Sequence, residues 1–255
     1  MNIKKFTYLV FLKSRLNIKS EMSQNRLNYL WLVIEPLLFM MVYYVVFGIF
    51  LKKGTDNFAA YLLTGLVPWL WFQRAVSRSS LSIVKGKGLS SQIAISKSFF
   101  VFVTCTQEAF QQCVSFLLLF SMLIFSGYFP DFHWSWVILL LGVQMLFVSA
   151  CSLISAYITT FFRDFNMLIP SGMRVLMYIS GVVYPISKIP EEYHWFFDYN
   201  PIAILVNMYR DVLIFKSSPS FMSMLILSLT STALILFTFL LFKNNDEKLT
   251  REIMR

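Results

Sequence analysis

The sequence predicts an all-α integral membrane protein with six transmembrane helices. An amphipathic interfacial helix precedes them, and two short re-entrant helices hang from the outer face before the last span. Three observations predict this. Of 255 residues, 57% are hydrophobic and 14% charged, where soluble chains carry about a quarter charged residues. Mean hydropathy is +0.65. Several apolar runs approach or exceed the ~20 residues that a helix needs to cross a hydrocarbon core. Such a composition excludes a disordered, collagen-like or disulfide-stapled chain.

Residues 3–19 come first. They plot as a moderately amphipathic helix, with Ile3, Phe6, Leu9, Val10 and Leu16 on one side and Lys4, Lys5, Arg15 and Lys19 on the other, although Lys13 interrupts the apolar face. This pattern predicts a helix lying along the inner leaflet, with a solvated basic tail as the alternative. Phe6–Leu12 is too short for a signal peptide and has no small-residue cleavage site after it, so the mature chain is expected to begin at or near Met1.

Six spans follow, at Leu30–Leu51, Phe58–Phe72, Phe99–Phe125, Trp136–Phe161, Met167–Val183 and Phe221–Phe242, the second and fifth being short. The chain thus divides into a cytoplasmic amphipathic segment (1–27), a transmembrane domain (28–245) and a cytoplasmic tail (246–255). Most of the 22 Lys and Arg alternate to one side. Lys4, Lys5, Lys13, Arg15, Lys19 and Arg26 precede the first span. Arg74, Arg78, Lys85, Lys87 and Lys97 lie between the second and third, Arg163 follows the fourth, and Lys243, Lys248, Arg251 and Arg255 follow the sixth. Lys52, Lys53, Lys188, Arg210 and Lys216 fall on the other side, and Arg174 within a span. Both termini are therefore expected in the cytoplasm, and the net charge of +9 belongs to topology and anionic headgroups rather than to nucleic acid.

Residues 187–220 are rich in apolar side chains yet too short for two further spans. Pro190 followed by Glu191 and Glu192 reads as a helix start. Asn200-Pro201 reads as an N-cap and first helical position, after which Ile202, Leu205, Val206, Tyr209 and Leu213 recur at helical spacing. Two short helices that dip in and return would make an outer plug or gate.

The ingredients of a membrane enzyme are missing. His133 and His194 lie at the outer edge without a His-Glu-x-x-His or Gly-x-Ser-x-Gly motif, which reads as interface histidines rather than ligands. Cys105, Cys113 and Cys151 lie in apolar runs without metal-site spacing, as buried small hydrophobes do. Lys85-Gly86-Lys87-Gly88 lacks the spacing of a phosphate-binding loop and reads as a basic turn, so any ATP belongs to another chain. Glu35, Glu108 and Arg174 are charges at membrane depth, and such charges are expensive. Glu108 and Arg174 reach similar depths, which predicts that they pair, with Glu35 as the second candidate. The pair would serve as interhelical glue or as part of a transport path. Trp69, Trp71, Trp134, Trp136 and Trp195 mark the interfacial belt, whereas Tyr43, Tyr44 and Phe47 could line a conduit and stack on apolar sugar faces.

Specific words in the chain are also informative. Trp31-Leu32-Val33-Ile34-Glu35-Pro36-Leu37-Leu38, Phe47-Gly48 and Gly65-Leu66-Val67-Pro68-Trp69 open the set. Phe162-Arg163-Asp164-Phe165, Ser180-Gly181-Val182-Val183-Tyr184-Pro185, Asn200-Pro201-Ile202 and Tyr209-Arg210 continue it. In that order they resemble the permease subunits of type-2 ABC exporters for bacterial surface polysaccharides, collinearly over about residues 28–245. The subgroup that exports lipid-linked O-antigen or teichoic acid is the most similar, with capsule exporters beside it. Where the family often carries Phe-Pro-Arg before the third span, this chain has Ile95-Ser96-Lys97.

The resemblance implies a multi-pass protein of the bacterial inner membrane that is not itself an enzyme. It implies a homodimer joined to two ATPase subunits, with ATP and Mg on the ATPase and no cofactor on this chain. The substrate would be an undecaprenyl-linked polysaccharide passing between the two copies. Arg78, Lys85, Lys87, Lys97, Arg163 and Asp164 would couple to the ATPase. Pro185, Pro190, Asn200, Pro201, Tyr209 and Arg210 would form the outer gate, and Tyr43, Tyr44, Phe47, Trp69 and Tyr184 the polymer path. An ABC exporter of a drug, haem or lipid shares this architecture, and an ATPase-independent channel or scramblase is the further alternative.

Overall fold

The computed structural model describes residues 3–24, 28–51, 57–90 and 95–254, which form helices joined by turns, with no strand. Arg26, Lys52, Lys53 and Arg255, and the expected boundary at residue 27, lie outside the described residues. Four stretches are long and apolar enough to cross a membrane: Leu30–Phe50, Ser98–Phe125, Phe132–Phe161 and Phe221–Asn244. They correspond to the expected first, third, fourth and sixth spans.

Helix α1 (Ile3–Gln24) packs alongside the first half of α6 (Ser98–Phe125). Phe6 sets its ring edge-on to Phe99 and Phe102, Val10 is buried, and the Ser14 hydroxyl lies 3.0 Å from the Val103 carbonyl. Leu16, expected on the apolar face, is 53% exposed, because Phe6, Val10 and Ser14 recur every four residues and define the packed face. Tyr8, Leu12 and Leu16 are exposed instead, and Phe11 lies at the edge of the contact, its ring edge-on to Phe110.

Helix α2 (Asn28–Tyr43) contains Pro36 and widens into a π-helical end, Tyr44–Phe50. Helix α3 (Phe58–Ser80) is the centre of the molecule, buried along most of its length against α2, α6, α7 (Trp136–Phe161), α8 (Phe165–Ile179) and α10 (Pro201–Leu213). It runs well past Phe72, where the second apolar run was expected to end. The polar residues beyond Phe72 find partners inside the bundle, so the helix has no reason to stop there. For the same reason Arg74 and Arg78 belong to a helix and not to a loop.

Two single-turn helices, α4 (Ser82–Lys85) and α5 (Lys87–Ser90), follow α3. Helix α8 is short, carries Pro170 and buries only Met173 and Met177 fully. The outer segment then makes 3-10 turns at Ile186–Lys188 and Glu191–Tyr193 before α9 (His194–Tyr199) and α10. The two helix starts read at Pro190 and Asn200 are both present. Asn200 caps α10 by accepting from the amides of Ile202 (3.0 Å) and Ala203 (3.4 Å), with Pro201 in the first turn. Ile202, Leu205, Val206, Tyr209 and Leu213 are all buried, as their spacing predicted. Helix α11 (Phe221–Asn244) packs on α7, and α12 (Asp246–Met254) closes the chain against α7.

Candidate functional site

Three groups of side chains stand out, one at each end of α3 and one on the exposed side between α2 and α8. At the C-terminal end of α3, five charges from four helices form one network. Arg74 Nη1 donates to Glu35 Oε2 (3.0 Å) and its Nη2 to Gln112 (2.8 Å), and Arg78 Nη1 donates to Glu108 Oε1 (2.7 Å). Glu21 of α1 stands 3.9 Å from Arg78 and accepts from Gln107 (2.6 Å) and Gln111 (2.9 Å). Glu108 is only 1% exposed, so its charge is held in place by these partners.

The expected Glu108–Arg174 pair is not formed. Arg174 is exposed on α8, 3.4 Å from the Ser171 hydroxyl, and Glu35 pairs with Arg74. Equal depth along two helices does not make them neighbours, and α3, not α8, lies against α6. Glu21, Arg74 and the glutamines were missed as site residues, yet they left a signal. Gln107-Glu108, Gln111-Gln112 and Ser115 recur at helical spacing, as do Arg74 and Arg78.

The residues expected to couple to an ATPase gather around the same end. Arg78 and Lys85 line a cleft of about 640 Å³ together with Lys13, Glu21 and Gly86. Ser80 donates to Asn166 (3.1 Å), just beyond the Arg163-Asp164 turn, and Arg163 reaches the Glu252 carbonyl of α12 (3.5 Å). Lys87 and Asp164 are exposed, whereas Lys97 is buried before α6.

At the opposite end of α3, Arg210 is 1% exposed. Its guanidinium carbon stacks 3.7 Å from the Tyr61 ring centroid, while Nη1 and Nη2 donate to the carbonyls of Gly181 (3.1 Å) and Val182 (2.7 Å). Gly65 lies directly beneath, where a Cβ would come within 2.7 Å of both Arg210 and the Val182 carbonyl. Tyr209 donates to Gln144 (2.7 Å), whose amide donates to the Pro68 carbonyl (2.8 Å), and Asn200 donates to Ser180 (3.0 Å). Pro185 lines a pocket of about 270 Å³ with Tyr61 and Arg210, and Pro190 is exposed before its turn. Of the expected gate residues, Asn200, Tyr209 and Arg210 are thus tied by hydrogen bonds to Ser180, Gln144 and the Gly181–Val182 carbonyls.

The third group is aromatic. Tyr43 and Tyr178 place their hydroxyls 3.2 Å apart, Tyr184 donates to the Tyr178 carbonyl (2.5 Å), and Phe47 lies between Tyr43 and Tyr184 at ring-centroid distances of 6.2 and 6.4 Å. Tyr44 is 42% exposed but turns toward Phe58. Trp69 departs from expectation. It is 1% exposed within the chain's own core, with its indole N–H on Gln73 (3.1 Å), so it lines no surface that a polymer could reach.

His133 rests on Asp131 (3.3 Å) and His194 on the Ile189 carbonyl (3.0 Å), and no metal-binding cluster occurs among the described residues. Cys105 is buried as expected, but Cys113 is exposed on α6.

These features define a multi-pass helical membrane protein whose polar groups connect its helices and its two ends. Its sequence from residue 10 to 214 matches the family model described as ABC-2 type transporter. The chain belongs to the ABC-2 type transporter family, as a membrane transport subunit of the inner membrane. It is 28% identical over 208 residues to an O-antigen export system permease protein RfbA of Klebsiella pneumoniae, covering 81% of this chain and 80% of that one. It is 22% identical over 238 residues to the RfbA permease of Myxococcus xanthus, covering 92% of each. To the polysialic acid transport protein KpsM of Escherichia coli it is 22% identical over 197 residues, covering 76% of each.

Proposed function

We propose that the chain is the permease of an ATP-driven exporter that moves a lipid-linked surface polysaccharide of the O-antigen type across the inner membrane, between two copies of itself. Two ATPase subunits supply the energy and bind ATP and Mg. The observation that carries the mechanism is the continuity of α3. One helix bears Arg74 and Arg78 at its basic end, and Tyr61 and Gly65 beneath Arg210 at the other. Closure of an ATPase against the basic end would move α3 as a rigid body and disturb the lock that holds α9 and α10.

In this reading α3 and α8 complete six spans, with both termini in the cytoplasm. Asn200, Pro201 and Ile202 share a groove with Phe72, Phe147 and Cys151, which lie well inside α3 and α7, and this supports a re-entrant α9–α10 pair. On the same reading residues 1–27 are the amphipathic segment, 28–245 the transmembrane domain and 246–255 the cytoplasmic tail. Phe47 and Tyr184, which are half-buried, offer ring faces on which sugars could stack, whereas Tyr43 is 7% exposed and stacked on Phe39 in the core.

The test is to purify the tagged protein from its native membrane, identify co-purifying chains and assay ATP hydrolysis, alongside a gene deletion scored for surface polysaccharide. A stoichiometric ATPase and loss of polysaccharide are expected. A lone permease without hydrolysis, or a deletion that keeps its polysaccharide, would overturn the reading. Removing residues 189–199 should change leak or gating while membrane insertion persists, and wild-type export from that deletion would eliminate the gate.

A further inference from the structure

Helix α8 divides into three faces. Met173 and Met177 pack inward. Leu168, Gly172, Val175 and Ile179 form an exposed stripe without a polar side chain. Met167, Ser171, Arg174 and Tyr178 form a second exposed stripe, which carries two hydroxyls and a guanidinium.

Arg174 stands roughly 14 Å of helix rise beyond Phe165, at membrane depth if α8 is a span. Other charges in the bundle are matched: Glu35 and Glu108 by Arg74 and Arg78, and Arg210 by two carbonyls and a ring. Arg174 has the Ser171 hydroxyl at 3.4 Å and no carboxylate within ion-pair distance among the described residues. An uncompensated guanidinium at that depth is expensive against lipid tails, which favours a stripe that faces water or an anion. The stripe also leads somewhere. Its outer member, Tyr178, is the residue that meets Tyr43 and Tyr184, so the cation and the aromatic surface are continuous.

We propose that Arg174 faces the aqueous space between two copies and is the contact for a phosphate group carried by the cargo. The inference rests on the exporter reading. A planar guanidinium with several donors suits two phosphate oxygens at once, and inside a low-dielectric wall that contact is stronger than in water. Two sources share this chemistry: the diphosphate that joins a polymer to a polyprenyl carrier, and phosphate within the polymer itself.

The test uses the whole permease–ATPase complex in nanodiscs. Binding is measured for a fluorescent polyprenyl diphosphate, for the uncharged polyprenol, and for a soluble glycerol-phosphate oligomer. Wild type should prefer the diphosphate lipid over the polyprenol by about tenfold or more. Arg174→Gln should abolish that preference and Arg174→Lys should keep part of it. An Arg174-dependent preference for the diphosphate lipid assigns the contact to the carrier, whereas Arg174-dependent binding of the soluble oligomer alone assigns it to the polymer. Unchanged binding of all three probes by Arg174→Gln would overturn the proposal. So would conversion of the complex to single permease copies by that substitution, which would make Arg174 an inter-subunit contact. If Arg174→Gln binds as wild type while deletion of the gene still removes surface polysaccharide, the phosphate contact falls and the exporter reading stands.

Discussion

Arg78 on α3 and Glu108 on α6 meet at 2.7 Å, but their surroundings differ: 42% of the Arg78 side chain is exposed and 1% of Glu108. The pair is therefore asymmetric. Arg78→Gln strands a buried carboxylate whose remaining cation, Arg74, is 3.9 Å away, whereas Glu108→Gln leaves Arg78 in contact with solvent and Arg74 on Glu35. Arg78→Gln should lower the thermal midpoint in detergent more than Glu108→Gln. The double variant should lose less than the sum of the two, with a coupling of about 1 kcal/mol or more. In the same cycle Arg174→Gln and Glu108→Gln should add to within about 0.5 kcal/mol. Strong coupling of Glu108 to Arg174, and none to Arg78, would refute the network.

Gly65 should tolerate no side chain. A Cβ there would come within 2.7 Å of the Val182 carbonyl, a backbone atom that cannot swing aside, and equally close to Arg210. Nothing lies within 4 Å of a Cβ at Gly142, on the neighbouring α7. Gly65→Ala is therefore expected to reduce folded yield and thermal midpoint sharply. Gly142→Ala should be neutral or slightly stabilising, by up to about 1 kcal/mol from helix propensity. Equal behaviour of the two would argue against the close packing of α3 under residues 181–182.

Arg210→Lys should fail as a conservative change. One ammonium cannot lie flat on Tyr61 and also reach the carbonyls of both Gly181 and Val182. Limited proteolysis between residues 181 and 220 should accelerate in Arg210→Lys and stay near wild type in Tyr61→Phe, which keeps the ring face. Rapid cleavage of Tyr61→Phe together with a resistant Arg210→Lys would be the opposite of what this geometry requires.

Asn200 does two jobs that separate by substitution. Its carbonyl oxygen caps α10 and its amide nitrogen donates to Ser180. Asn200→Ala should cost about 1 kcal/mol of stability from the cap alone, with a further loss from the Ser180 contact. Asn200→Asp should retain the cap and lose only the donor, so its thermal midpoint should fall between wild type and Asn200→Ala.

Much of the fold was legible because a bilayer imposes a simple rule on sequence. The limits of α6, α7 and α11 follow from runs of apolar residues, and the starts of α9 and α10 follow from Pro190 and Asn200-Pro201, whose effects are local. The end of α3 was not legible. Its last turns are polar by composition, and only the neighbouring Glu35, Glu108 and Gln112 make those turns buryable. Trp69 illustrates the same limit, since its position near a span end suited either an interfacial belt or a conduit, and the packing of neighbouring helices around α3 placed it in the core instead.

By itself, then, the sequence determined that this is a helical membrane protein and where its apolar helices run, and its ordered words pointed to the transporter family to which it belongs. The tertiary structure alone decided which charges meet. Depth can be counted along one helix at a constant rise per residue, but adjacency depends on how helices pack around α3, and that is a property of all their faces together. The same packing that gave Glu108 to Arg74 and Arg78 left Arg174 without a carboxylate among the described residues, because α3 and not α8 lies against α6.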